Sequence, residues 1–285
     1  MGAGLSNAPG GAVRWRCPHC ANPLFEDERG ARCEDGHSFD RAREGYLNLL
    51  PAGRLPGGPA GDDHEMLRAR RALFDAGHYA PVQRTVAELV MARSPHVVLD
   101  AGCGEGSYLA AIEAPTRLGI DVAKDGVRMA AHRHRNVRWA VASSYRLPLA
   151  DATVDAVVSV FAPRPFGEFA RVARSGGFAV IASPGPDHLD ALTTLVYGEP
   201  RHHEQRAHTG AEALDDDASA DDAHTEPLER RRVRYELALT SSTDIGNLLQ
   251  MTPYWWKASE AQRRVISDRN DLNTVVDVIV SVHQL

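Results

Sequence analysis

The chain has 285 residues, 43% of them apolar and 25% charged, with a formal net charge of −6 and four cysteines. It has no apolar run of eighteen residues and no basic flank followed by an apolar core at its start, so neither a membrane span nor a secretory signal is expected, and the expected location is cytoplasmic. The negative balance argues against a uniformly basic nucleic-acid binder, although Asp215, Asp216, Asp217, Asp221 and Asp222 concentrate much of the acid in one stretch and leave the remainder close to neutral.

In chain order, the first signal is Cys17-Pro18-His19-Cys20 followed by Cys33 and His37, a C-x2-C-x12-C-x3-H pattern. Four soft or borderline donors in two tight turns have the spacing of a closed tetrahedral zinc site, with Gly30 and Gly36 expected to let the two turns fold beneath the metal. A Cys17/Cys20 redox pair would leave Cys33 and His37 unexplained. The segment has too few apolar residues for its own core, so the metal is expected to supply most of its folding energy. His19 reads as a surface residue.

Phe39 to Pro51 and the Gly/Pro-rich stretch from Arg54 to Asp63 read as a linker. Met66, Leu67, Ala69, Ala72, Leu73 and Phe74 then recur at helical steps up to Ala76-Gly77-His78-Tyr79, with Arg68, Arg70 and Arg71 expected to face solvent or phosphate. A second helix is expected from Pro81 to about Ala92. From Val97 to Leu109 a buried strand ends in a turn carrying Gly102, Gly104 and Gly106 and feeds a helix, the pattern of a nucleotide-cofactor cradle. A second short strand ends in Asp121, where a carboxylate would meet ribose hydroxyls.

Near-alternation continues: helix 124–134, strand 137–142, strand 154–161, helix 165–173, strand 177–182 and helix 188–197 predict an α/β doubly wound sheet. Residues 201–226 read as a flexible insertion. Arg230 to Tyr235 is a basic strand, a helix follows that is capped at Ser241 or Ser242, and Thr274 to Val282 is a strand. The expected division is a zinc module at 12–50, a linker with helices at 51–93, and a cofactor domain at 94–285.

Leu99-Asp100-Ala101-Gly102-Cys103-Gly104-Glu105-Gly106 resembles the first motif of class I S-adenosylmethionine-dependent methyltransferases. That resemblance implies a seven-stranded sheet, Asp121 on the ribose, and Ser143 near the adenine amine in place of the aspartate many relatives carry. A narrower likeness comes from the zinc pattern together with Glu44-Gly45-Tyr46-Leu47-Asn48-Leu49-Leu50-Pro51, Arg70-Arg71-Ala72-x-x-Asp75-Ala76-Gly77-His78-Tyr79, Ser183-Pro184-Gly185-Pro186-Asp187-His188-Leu189 and Met251-Thr252-Pro253-Tyr254-Trp255-Trp256. These resemble the large-subunit rRNA guanine-N1 methyltransferases, a family that includes tylosin-resistance enzymes. The likeness runs from about Trp15 to the C-terminus, interrupted by the acidic stretch.

Carried over by motif, Tyr79, Gly104, Glu105 and His188 would contact S-adenosylmethionine, and Cys17, Cys20, Cys33 and His37 would hold zinc. The substrate implied is hairpin 35 of 23S rRNA, modified at guanine 748 or 745. An arginine- and alanine-rich, lysine-poor composition, typical of GC-rich actinomycete-like coding, tilts the reading to 748 and macrolide resistance. Guanine N1 carries a proton that must be removed, and Asp155, Glu168 and His188 are candidates among which the sequence does not choose. Phe161 would stack on the guanine or be a core aromatic, and Tyr254, Trp255, Trp256 and Lys257 would cap the cofactor pocket or pack inside. Arg14, Arg16, Arg41 and Arg43 beside the zinc segment would meet phosphates, within one chain or across a homodimer. The alternatives are a small-molecule methyltransferase with a zinc appendage and an inactive zinc-ribbon RNA-binding protein.

Overall fold

The computed structural model describes residues 13–51, 61–199 and 226–285. Most of the Gly/Pro-rich linker and, Glu226 apart, the expected insertion at 201–226 lie outside the described residues.

The chain begins with a small antiparallel sheet of three strands, β1 (Phe25–Glu26), β2 (Gly30–Arg32) and β3 (Ser38–Asp40). One metal-binding turn, with Cys17 and Cys20, precedes β1, and the other, Cys33 to His37, joins β2 to β3. The left-handed positions are Ala21 and Gly36 (φ 62° and 86°), not Gly30. Gly30 serves a different purpose, because a Cβ there would sit 2.2 Å from the Phe39 carbonyl oxygen on the neighbouring strand.

β4 (Leu47–Asn48) follows within the stretch expected to be a linker. It pairs in parallel with β7 (Arg138–Val141) and so adds an eighth strand to the main sheet. Hydrophobic burial explains the difference: Leu47 and Leu49, which alternate with Asn48, are buried in the main core.

Next come α1 (His64–Asp75), started by an Asp63 side chain that accepts from the Met66 amide, and α2 (Ala80–Met91), with proline in its first turn. The cofactor domain then runs β5 (Val97–Ala101), α3 (Ser107–Ala110), β6 (Thr116–Asp121), α4 (Lys124–Arg133), β7 (Arg138–Val141), β8 (Val154–Val160), α5 (Phe166–Val172) and β9 (Ala173–Pro184). It continues with α6 (Asp190–Tyr197), β10 (Glu229–Leu239), α7 (Ser242–Gln250), α8 (Tyr254–Lys257), α9 (Glu260–Ser267) and β11 (Leu272–Gln284). The strand order is β10-β11-β9-β8-β5-β6-β7-β4, with β11 antiparallel to both neighbours. This is the seven-stranded doubly wound sheet plus the β4 edge.

Alternation along the strands divides the core between the two faces. Val98, Val158 and Val180 join α1, α2, α4, α6 and α7 on one face. Leu99, Val157 and Ile181 join α5 on the other, together with Trp15, Cys17, Leu24 and Cys33 of the N-terminal module. The module therefore lies on the sheet and shares its core, so the metal need not stabilise it alone.

Candidate active site

The cradle forms at the carboxyl end of β5, next to the strand-order reversal, where doubly wound sheets open a crevice. Gly102, Gly104 and Gly106 all have positive φ (92°, 53° and 89°). At Gly102 a Cβ would also fall 2.4 Å from that of Ala162, so only glycine fits on both counts. The turn is tied to β6: the amides of Gly102 and Cys103 both donate to the Ile120 carbonyl at 2.9 Å, and the Gly104 amide donates to Asp121 Oδ2 at 2.8 Å. Asp121 Oδ1 accepts from the Ala123 amide at 2.7 Å, so its carboxylate braces the turn and the entry to α4 as well as facing the crevice.

The crevice is a cavity of about 620 Å³, and it brings together every residue expected at the cofactor: Tyr79, Gly102, Gly104, Glu105, Asp121, Ser143 and His188. Ser143 reaches it after its hydroxyl has capped the short turn 144–146, accepting from the Tyr145 amide at 3.2 Å.

Three carboxyl groups lie around the glycine turn. Burial raises Asp100, Glu105 and Asp121 above the usual carboxylate range, and the charges of Asp121 and Glu105 help push Asp100 up to about 8. Glu105 and Asp121 line the cavity, and a cationic ligand beside them would favour their charged forms against the cost of burial. Tyr79 and Tyr108 also line the cavity, and their hydroxyls are buried without a hydrogen-bond partner among the described residues. Orphaned buried hydroxyls, close-approach glycines and clustered carboxyls fit a zwitterionic, sulfonium-bearing cofactor.

Sequence reasoning missed two of these residues. Tyr108 lies two positions beyond the last glycine, so the first turn of α3 carries it into the crevice. Arg70 was expected to face solvent or phosphate, yet it lines the cavity, ion-pairs with Asp62 and donates to the Met251 carbonyl at 3.4 Å. Its place in the Arg70-Arg71-Ala72 motif was the available signal, but helical periodicity put it on the outer face.

None of the three candidates for proton acceptor is placed for that task. Asp155 is at the opposite end of β8, where Oδ2 accepts from the amides of His96 and Val97 at 2.9 and 2.7 Å and Oδ1 from Arg174 at 3.1 Å. Glu168 accepts from the Leu147 amide at 2.7 Å and pairs with Arg171. His188 does line the cavity, but its Nδ1 accepts from the Asp277 amide at 3.2 Å. The neutral ring then carries its hydrogen on Nε2, which makes it a donor rather than a base.

Phe161 also lines the cavity, 43% exposed, at φ 53° and 5.7 Å from the His188 ring. It is not a core aromatic. A strained, exposed phenylalanine at a strand end costs stability, so it calls for a functional explanation. Of the Tyr254–Lys257 group only Tyr254 lines the cavity; Trp255 stacks under Arg263 at 4.5 Å and Trp256 is exposed outside it.

The metal donors converge as expected. Donor atoms of Cys17, Cys20, Cys33 and His37 lie within 4.8 Å of one another, with Cys20 Sγ to Cys33 Sγ at 3.6 Å and Cys33 Sγ to His37 Nδ1 at 3.4 Å. Zinc bonds of about 2.0–2.3 Å at tetrahedral angles place ligand atoms about 3.5–3.8 Å apart, so the set fits zinc. Burial raises the Cys33 thiol, but hydrogen bonds from His37 and Cys20 outweigh it and bring it down to about 7. Of the four arginines nearby, Arg41 is held by Glu26 and by backbone carbonyls, and Arg16 by the Ala21 carbonyl and Asp151. Arg14 lies exposed over the Phe25 ring at 4.7 Å, and Arg43 is exposed.

Comparison with known proteins agrees with this geometry. Residues 15–54 match the family model described as "RlmA, N-terminal", and residues 98–177 match one described as "Methyltransferase domain". The chain is 37% identical to the 23S rRNA (guanine(748)-N(1))-methyltransferase of Streptomyces fradiae, over 88% of this chain and 89% of that protein. It belongs to the 23S rRNA guanine-N1 methyltransferase family. Candidate members from Micromonospora griseorubida (37% identical; 87% of this chain, 88% of that one) and Bacillus subtilis (32%; 94% and 96%) are similar over comparable lengths. This methyltransferase accordingly uses S-adenosylmethionine, and zinc in the Cys3His module. Among its described residues no helix is long and apolar enough to cross a membrane.

Proposed function

We propose that this methyltransferase modifies N1 of guanine 748 in hairpin 35 of 23S rRNA, and that the modification confers tylosin-type macrolide resistance. Support for the position comes from the Streptomyces fradiae relative, whose name specifies guanine 748 and which aligns over 89% of its length.

The observation that carries a flipped base as substrate is Phe161. Its exposed ring at the cavity wall offers a stacking surface about the size of a purine, with the His188 ring behind it and Tyr145, 54% exposed, also lining the mouth. A guanine in a hairpin loop reaches such a surface at a lower unstacking cost than one in a duplex. S-adenosylmethionine held at the glycine turn would supply an electrophilic methyl to guanine N1, the C–S electron pair remaining on the sulfur of the departing S-adenosylhomocysteine and the N1 proton passing to water. The protein's part is alignment. The glycine turn and Asp121 hold one end of the cavity, and Phe161 with His188 orient the base at the other. The zinc module, with Arg14 and Arg43 exposed on it, grips the RNA backbone.

Transcribed hairpin 35 incubated with labelled cofactor tests this reading. Primer extension should arrest at 748, because an N1-methyl blocks the pairing edge. Arrest at 745 would overturn the position, and label entering only small metabolites would overturn the RNA substrate. If a homodimer grips the RNA, sedimentation should show a two-chain species bound to one hairpin.

A further inference from the structure

We infer that Arg164 reads the Hoogsteen edge of the target guanine, its guanidinium donating to O6 and N7, and that it is a catalytic residue because it holds the negative charge that loss of the N1 proton puts on O6. The inference deepens the guanine-N1 reading and rests on it. Asp155, Glu168 and His188 are each engaged in other hydrogen bonds, so none of them takes the N1 proton. A site without such a base favours proton loss by stabilising the anion it creates.

The turn after β8 is built to present two side chains. Phe161 and Arg164 lie three residues apart in Phe161-Ala162-Pro163-Arg164-Pro165, and both line the cavity. The backbone between them is fixed at several points. The Phe161 amide donates to the Ala182 carbonyl at 3.0 Å, the Ser159 hydroxyl donates to the Pro163 carbonyl at 3.2 Å, and a Cβ at Gly102 would fall 2.4 Å from that of Ala162. Prolines on both sides of Arg164 restrict its backbone, and the Pro165 carbonyl opens α5 by accepting from the Glu168 and Phe169 amides at 3.0 Å. Arg164 itself is half-buried, so a planar fork is presented from a rigid turn and loses little freedom on meeting a base.

Two arginines are found among the described residues of the cavity lining, and they serve different ends. Arg70 pairs with Asp62 and acts on Glu105 and Asp121 beside the glycine turn. Arg164 follows the exposed ring on which the base stacks. In guanine, O6 lies between N1 and N7, so a fork on O6 and N7 leaves N1 open to the methyl. Adenine carries an amino donor where guanine has O6, so the same fork rejects it. When the N1–H bond breaks, its electron pair stays on the ring and spreads to O6 while the proton passes to water. The guanidinium then faces an anion instead of a neutral carbonyl, a gain made only as the reaction proceeds.

Synthetic hairpin 35 tests the assignment when the methylated position carries guanine, 7-deazaguanine, in which a CH group replaces N7, or inosine, which lacks the 2-amino group on the far edge. With guanine, Arg164→Gln should lower kcat/KM about ten- to a hundredfold, the range of one lost bidentate contact, and Arg164→Lys should recover part of the loss. On 7-deazaguanine the unaltered protein should lose about tenfold and Arg164→Gln less than about threefold, because the contact to N7 is already gone. Inosine should slow both proteins by the same factor. Calorimetric cofactor affinity of Arg164→Gln should stay within about twofold, which a merely structural role in the turn against Gly102 would not allow. An unchanged rate on guanine, equal losses on 7-deazaguanine in both proteins, or a cofactor affinity that falls in step with the rate would overturn the assignment. Failure of the unaltered protein to label the guanine hairpin would instead overturn the substrate reading on which it rests.

Discussion

Replacing Arg232 by alanine should destabilise the protein and loosen the loop that carries His188. Arg232 lies on β10 and reaches across β11 to the fully buried Asp277, with Nε to Oδ1 at 2.7 Å and Nη2 to Oδ2 at 2.8 Å. Asp277 in turn accepts from the Asp187 amide at 3.0 Å, and its own backbone holds the 183–189 loop through Gly185 N at 2.8 Å and His188 Nδ1 at 3.2 Å. A Cβ at Gly185 would meet the Asp277 carboxyl at 2.4 Å, which shows how closely the loop is drawn onto the strand.

Breaking one side of a buried ion pair costs about 3–5 kcal/mol. Arg232 is 48% exposed, so water can reach the vacated side of Asp277, and about 2 kcal/mol is the expected loss. For a chain of this size that corresponds to a fall in Tm of roughly 4–8 °C. Burial would raise Asp277, but Arg232 and the Asp187 amide outweigh it and hold the carboxyl below its usual range. A depressed folded-state value contributes stability that is present above the unfolded value of about 3.9 and is lost as pH falls through the folded one. The gap between unaltered protein and variant should therefore stay level from about pH 8 to 5 and close only below about pH 4. Urea unfolding across that range, with Asp277→Asn and the double variant completing a cycle, measures it. A gap under about 0.5 kcal/mol at pH 7, or additive single effects, would refute the clamp.

Further predictions address the site and the metal. Gly102→Ala sets a Cβ against Ala162 at positive φ, so cofactor binding should fall at least about tenfold by calorimetry while the zinc content stays at one per chain. Phe161→Ala should lower kcat/KM for the RNA hairpin by about ten- to a hundredfold, the range of one lost base–aromatic stack, and leave cofactor affinity unchanged. Asp155→Asn should reduce stability and leave the methyl-transfer rate per folded molecule intact, because its partners are the His96 and Val97 amides and Arg174 at the far end of the sheet. Chelation of zinc should expose reactive thiols and make residues 13–46 protease-sensitive, with the cofactor domain retaining its helical signal, since its own core extends well beyond the module.

Local patterns made much of this readable from the chain. Metal donors at short spacings, a strand running into three glycines, and an acid ending the next strand are each short-range signals, and the structure brings their residues together. The misreadings have a common cause. Leu47-Asn48-Leu49 is too short to announce a strand until β7 offers it an edge, and Arg70 looks like any exposed helical arginine until α1 docks beside the glycine turn. Asp155 and Glu168 were plausible bases only because a linear sequence does not say which end of a strand or which helix neighbour a carboxylate will meet.

The sequence by itself determined the alternation that builds the sheet, the glycine cradle for the cofactor and the four zinc ligands, because backbone conformation and metal coordination depend on neighbours a few residues apart. Only the tertiary structure decided that the zinc module shares the sheet's core, that Arg70 and Tyr108 turn inward, that Phe161 stands exposed at the cavity wall, and that His188 is held as a hydrogen donor. Each of those depends on groups brought together from distant parts of the chain, where packing and desolvation, not local pattern, set what a side chain can do.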